Sequence, residues 1–157
     1  MSCRFSFGNM SRIVRIRTYS PSDEQAVVAL WRQIFGYPAP HNDPLTVIQH
    51  KMAVQPDLLF VAEVEGNVVG TVMGGYDGHR GWIYSLAVTA AHRHKGIGAA
   101  LMRHAEAALT QRGCLKINLQ ILASNGDVTA FYKKLGYSVE ERISMGKTTS
   151  QTCPPPP

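Results

Sequence analysis

The residues best suited to chemistry are Arg93-His94-Lys95-Gly96-Ile97-Gly98, set between an apolar β-rich run and a helical pattern. The run before them is Trp82-Ile83-Tyr84-Ser85-Leu86-Ala87-Val88. After them, Ala99 to Arg112 has the apolar spacing of an amphipathic helix. Cationic side chains and two glycines therefore fall at a strand-to-helix turn. The first N–H groups of a helix have no partner within it and carry the positive end of its dipole. Glycine lets an anion approach that backbone closely. The expectation is an anion cradle, and its natural anion is a phosphorylated cofactor. The plain alternative is a turn whose glycines serve packing alone. Arg93 and Lys95 either add charge-assisted bonds to phosphate or stand as solvated surface charges. A nicotinamide cofactor fits poorly. The third glycine of the dinucleotide fingerprint is replaced by Leu101, and no acidic residue ends the next β-rich run, Lys116 to Leu122.

The elements that position this turn can be read from pattern. Ile13 to Arg17 is a first strand. Ser20-Pro21-Ser22-Asp23 is a helix start, with Ser as N-cap, Pro at the first helical position and Asp closing the box. Val27, Leu30, Trp31, Ile34 and Phe35 then form one apolar face. Gly36-Tyr37-Pro38-Ala39-Pro40 ends that helix. Asp43-Pro44 opens a second, with Leu45, Ile48 and Met52 on one face and Pro56 beyond its end. Leu58 to Glu65 and Val68 to Gly75 are strands around a Gly66-Asn67 hairpin signal, and Asp77-Gly78 marks the turn into the Trp82 strand. The central helix carries Ile97, Leu101, Ala105, Ala108 and Leu109 on one stripe, with Gly113 as its stop. A strand over Lys116 to Leu122 follows, then a helix from Asn125 to Leu135. The last strand is expected over Tyr137 to Met145. The order β-α-α-β-β-β-α-β-α-β contains no internal repeat.

Composition bounds the function classes. A chain of 157 residues with 45% hydrophobic content builds one domain with a real core. The net charge of +5 favours an anionic partner. Without a Lys/Arg block or rich aromatics, a dedicated nucleic-acid surface is not expected. Cys3, Cys114 and Cys153 are widely spaced and show no zinc pattern, so Cys114 reads as a buried structural thiol. His92, His94 and His104 mix loop and helix faces with no carboxylate or Cys partner, so no metal is expected. No run is long enough to span a bilayer and no leader is evident; the expectation is a cytoplasmic protein without a membrane partner. Residues 1–11 read as a loose extension in which Met10 is an alternative start. Residues 12–147 read as one domain and 148–157 as a Pro-rich tail.

Two motifs in sequence order resemble the GNAT superfamily of N-acetyltransferases. Arg93-x-x-Gly96-x-Gly98, behind Leu86-Ala87-Val88, is similar to the family's acetyl-CoA pyrophosphate loop. Asn125 followed by Ala130-Phe131-Tyr132-Lys133-Lys134-Leu135-Gly136-Tyr137 is similar to its second signature. The resemblance covers roughly Ile13 to Lys147. Asn42-Asp43-Pro44 and the stretch from Val61 through Gly81 further resemble the bacterial YpeA-type acetyltransferases.

The resemblance implies an α/β fold, GNAT-like and mixed. Its mostly antiparallel central sheet is flanked by helices and splayed at the cofactor strand. It implies acetyl transfer to a primary amine of a small molecule, peptide or protein, with acetyl-CoA as donor and no metal. The cradle would be Arg93, His94, Lys95, Gly96, Ile97, Gly98 and Ala99. Leu86, Ala87 and Val88 would act through backbone, because that strand carries a bulge, and an N–H there can polarise the thioester carbonyl. Tyr132 would protonate the departing thiolate; its alternative is a core aromatic, the reading given to Phe131. Asn125 would bond the pantetheine arm, serve as N-cap, or both.

The resemblance does not supply a general base. Relatives often use a Glu on the Trp82 strand, and here that strand has none. Glu63, Asp77 and His79 are the alternatives. Asn42, Asp43, Tyr76 and Asp77 are expected acceptor contacts. The other reading is a non-catalytic acyl-CoA-binding module of the same fold. A monomer or a homodimer is expected.

Overall fold

Glu65 and Gly66 both hold positive φ, +51° and +79°, and so reverse the chain in two residues. That is the backbone a type I′ hairpin demands. It joins β2 (Leu59–Val64) to β3 (Asn67–Tyr76). The turn is therefore Glu65-Gly66, one residue earlier than the expected Gly66-Asn67, with Asn67 already paired to Val64. The structure is a computed structural model that describes residues 13–36 and 39–149. The expectations for residues 1–11, and for all but the first two residues of the 148–157 tail, lie outside the described residues. The chain divides into two compact units at Gln120/Ile121.

In the first unit β1 (Val14–Thr18), β2, β3, β4 (Gly81–Val88) and β5 (Ile117–Leu119) form one sheet in sequence order. The first three pairings are antiparallel and the last, β4 with β5, is parallel. The parallel step is possible because α3 (Ile97–Gln111) forms the crossover. This is the expected mixed, mostly antiparallel open sheet flanked by helices.

Alternation along the strands sends neighbouring side chains to opposite faces. Leu59 and Val61 pack with Val27, Leu30 and Trp31 of α1 (Glu24–Phe35) and Ile48 of α2 (Pro44–Val54). Phe60, one residue along, instead meets the ring of His104 on α3 edge-on at 4.7 Å. Ile97, Leu101, Ala105 and Leu109 form the buried stripe of α3, as expected, and Met102 joins them. Full burial of a Leu side chain stabilises by about 2 kcal/mol. Glycines let α3 sit close: a Cβ at Gly70 would lie 3.0 Å from the Leu101 side chain, and one at Gly81 only 2.6 Å from Cys114 Sγ. Cys114 is buried, as expected of a structural thiol.

Ser20 to Asp23 begins the first helical segment as read from sequence. The Asp23 carboxylate accepts the Ser20 N–H at 2.9 Å. Phe35 and Leu45 are exposed rather than core, since each lies at the edge of its helix's apolar face. The described residues contain no helix long and apolar enough to cross a membrane.

The second unit contains α4 (Gly126–Lys134), within the expected Asn125–Leu135. The expected strand over Tyr137 to Met145 is not formed. Val139, Ile143 and Met145 are exposed there, and the Arg142 N–H closes on the Glu140 carbonyl at 2.9 Å. That tight local turn withdraws groups a ladder would need. β5, too, is shorter than the expected Lys116–Leu122.

Candidate functional site

β4 is irregular where it matters. Met73 pairs with Tyr84 and Thr71 with Ala87, so one residue of β3 faces two of β4, Ser85 and Leu86. This two-against-one pairing is a β-bulge, and Ser85 carries its strain at φ +51°. On the other side β5 pairs only with Gly81, Trp82 and Ile83. From Tyr84 to Val88, β4 has no strand partner on that side among the described residues. A bulge and a splay are both present on the expected strand, with the bulge at Ser85-Leu86 and Ala87 and Val88 back in register with Thr71 and Gly70. Leu86 and Val88 are half-buried residues and Ala87 is buried.

Beyond Val88 the chain runs through a short 3₁₀ turn, Ala90–His92, fastened by Thr89 Oγ1 to His92 Nδ1 at 2.9 Å. His94 (φ +60°) and Gly96 (φ +79°) then both adopt left-handed backbone. Gly96 is the N-cap of α3, and no side chain caps the helix there. A Cβ on Gly96 would meet nothing within 4 Å. Glycine is needed at this position for its backbone, not for clearance. The first-turn N–H groups of Ile97, Gly98 and Ala99 thus face an opening with no capping oxygen, a fit for an anion with several acceptor atoms. Arg93 is exposed and uses Nε to bond the Val88 carbonyl at 3.2 Å, which ties the loop to the end of β4. Its use is thus partly structural, while Lys95 is a solvated side chain.

Asn125 and Tyr132 belong to the second unit. Asn125 occupies the N-cap position of α4, but its side chain makes no capping bond. Tyr132 is half-buried against Phe131 and Tyr137, with ring centroids 5.0 and 5.9 Å away. Burial pushes its phenol above the ordinary value of 10. It therefore stays protonated through neutral pH, as a proton donor must.

Of the expected base and acceptor residues, Glu63, Asp77, Asp43 and Tyr76 have structural partners. Arg17 holds Glu63 through Nε and Nη2 at 3.0 and 2.8 Å. Asp77 accepts the N–H groups of His79 and Arg80, both at 2.7 Å, which closes the β3–β4 turn and keeps the carboxylate low in pKa. Asp43 caps α2 through the Thr46 N–H at 3.0 Å. The Tyr76 hydroxyl has the Gly78 and Gly113 carbonyls, at 3.2 and 3.4 Å, as acceptors for its one proton. Asn42 sits exposed on the 3₁₀ turn before α2. His79 is exposed on its turn.

One group escaped the sequence reading. Lys51 on α2 is half-buried, bonds the Gly74 carbonyl and Gln55 Oε1, and lies by Gly75. Burial, aided by nearby Arg112, pulls its ammonium down to about 8. A lysine on a helix carries no sequence mark of such burial.

The family model for the acetyltransferase (GNAT) family matches residues 24–137, most of the chain. The chain belongs to the GNAT acetyltransferase family. Membership makes it an acyltransferase. This acetyltransferase is 43% identical over 134 residues to an acetyltransferase of Pectobacterium atrosepticum, covering 85% of this chain and 94% of that protein. It is 42% identical over 132 residues to one of Sodalis glossinidius, covering 84% and 92%. Among solved structures it is similar to Ard1 from Thermoplasma volcanium at 26% identity and TM-score 0.72, covering 81% and 84%. An aminoglycoside N-acetyltransferase in complex with CoA shares the fold at 16% identity and TM-score 0.72, covering 89% and 97%.

Proposed function

We propose that this acetyltransferase moves the acetyl group of acetyl-CoA to a primary amine of a small molecule, peptide or protein, by direct attack in a ternary complex. The observation that carries the reading is the run from the opened β4 backbone to the glycine-capped N-terminus of α3. The pyrophosphate is held by the N–H groups of His94, Lys95, Gly96, Ile97, Gly98 and Ala99, where helix dipole and free donors act together, and Arg93 adds the charge of its guanidinium, its own N–H being bonded to the Ala90 carbonyl. The pantetheine arm adds like a strand to Leu86, Ala87 and Val88, and a backbone N–H there stabilises the oxyanion of the attacked thioester. Asn125 bonds the same arm. Tyr132 is the general acid that returns a proton to the CoA sulfur. The acceptor arrives as a neutral amine or loses its proton through water, since Glu63 and Asp77 are engaged in structural bonds.

Release of free thiol from acetyl-CoA over a panel of amines and peptides tests the reading. Steady turnover with at least one acceptor is expected. Failure of wild-type protein to bind CoA overturns it. Those same engaged carboxylates favour the second reading, a module that binds acyl-CoA without turnover. Tight CoA binding with no acceptor from a broad panel would select it.

A further inference from the structure

The bulge of β4 is held from behind by a buried polar chain. Trp31 Nε1 donates to Thr71 Oγ1 at 2.8 Å, and Thr71 Oγ1 donates to the Ser85 carbonyl at 2.9 Å. Both side chains are buried, Thr71 completely and Trp31 to 3% exposure. Indole N–H is a donor only, so the hydroxyl must accept from Trp31 and send its single proton to Ser85. The direction of the chain is thereby fixed without any choice of rotor. Neither residue is explained by packing alone: an apolar residue of the same size would fill either place.

Ser85 is the strained residue of the bulge, at φ +51°. Its carbonyl turns toward β3 and α1, where Thr71 holds it. The peptide that follows is trans, as is every peptide bond among the described residues, and a trans peptide sets its C=O and N–H on opposite sides of a near-planar unit. The Leu86 N–H therefore points opposite to that carbonyl, away from β3 and toward the side where β4 has lost its strand partner.

We infer that Thr71, oriented by Trp31, is a positioning residue that aims the Leu86 N–H at the acyl carbonyl in the gap beside β4. The inference rests on the acetyl-transfer reading for the identity of that carbonyl. Its geometric half stands apart from it. Thr71 never touches substrate; it acts through the Ser85–Leu86 peptide.

Thr71→Val removes the hydroxyl at nearly constant shape, and Thr71→Ser restores it. The double variant Trp31→Phe, Thr71→Val removes both ends and leaves no orphaned indole donor, so it serves where the single variant fails to fold. Three quantities are read in folded protein: the Leu86 amide shift and its hydrogen exchange without ligand, the Kd for free CoA, and kcat for acetyl transfer. A moved Leu86 amide is expected in Thr71→Val, with kcat down about tenfold or more and CoA affinity within about twofold. Free CoA has no acyl carbonyl, so it should not feel the lost aim. Thr71→Ser should recover most of kcat. An unchanged Leu86 amide overturns the inference, as does a moved amide with wild-type kcat. The parent reading fails separately, when wild-type protein neither binds CoA nor transfers acetyl.

Discussion

At the scale of single residues, Tyr132 and Lys51 show burial acting on two groups of opposite charge habit. Burial disfavours the charged form, so the phenol rises and the ammonium falls. For Tyr132 the consequence is kinetic. Tyr132→Phe is expected to lower kcat by about 10²-fold, the usual worth of a general acid, and to leave CoA affinity near wild type. A variant with full kcat across pH removes the acid assignment. For Lys51 the consequence is a stability profile. Its folded pKa of about 8 lies below the unfolded value of about 10.4, so between these the unfolded chain holds more protons. Stability should therefore rise as pH climbs from 8 toward 10, relative to Lys51→Met. Paired thermal melts at pH 7.5, 8.5 and 9.5 read this, and parallel profiles would show that Lys51 titrates normally. Tyr132 stands out in the sequence because its neighbours form a motif. Lys51 does not, because its burial comes from β3, far away in sequence.

At the scale of elements, what could be read was what local chemistry dictates. The start at Ser20, the stripe of α3 and the stop at Gly113 follow from side chains within one or two turns. The strand over Tyr137 to Met145 failed because a strand needs a partner, and no local pattern reveals one. The hairpin turn lies one residue earlier than Gly66-Asn67 implies because Glu65 adopts positive φ ahead of Gly66. The glycines give the sharpest tests. Gly81→Ala places a methyl at 2.6 Å from Cys114 Sγ and 3.2 Å from the Ile117 side chain. It should cost about 1–3 kcal/mol by overpacking, and Gly81→Ala with Cys114→Ala should recover part of that. Gly96→Ala has room but not the backbone, and should cost about 1 kcal/mol together with a measurable loss of CoA affinity. Urea melts and calorimetric titration separate the two glycines: affinity untouched in Gly96→Ala would detach that turn from the donor.

At the scale of the whole molecule, charge and sheet edges set the response to conditions. Arg17 joins the first strand to Asp23 before α1 and to Glu63 on β2, with bonds of 2.7 to 3.0 Å. Its guanidinium, the largest influence on the buried Asp23, holds that carboxyl below the usual range. The stability this contributes is present above about pH 4 and is lost as pH falls through the lower folded value. Asp23→Asn should cost about 1–3 kcal/mol at pH 7 and flatten the acid limb of the stability curve. An acid limb identical to wild type in that variant would assign the loss elsewhere. The gap beside β4 has a different consequence. Among the described residues no strand pairs with the far side of β4 from Tyr84 to Val88, and such an open edge is an inviting template for a foreign chain. A ligand lying along it hides that template. Protein purified without such a ligand should scatter light earlier on warming than protein kept with CoA, so storage and crystallisation would depend on filling the opening proposed for the donor.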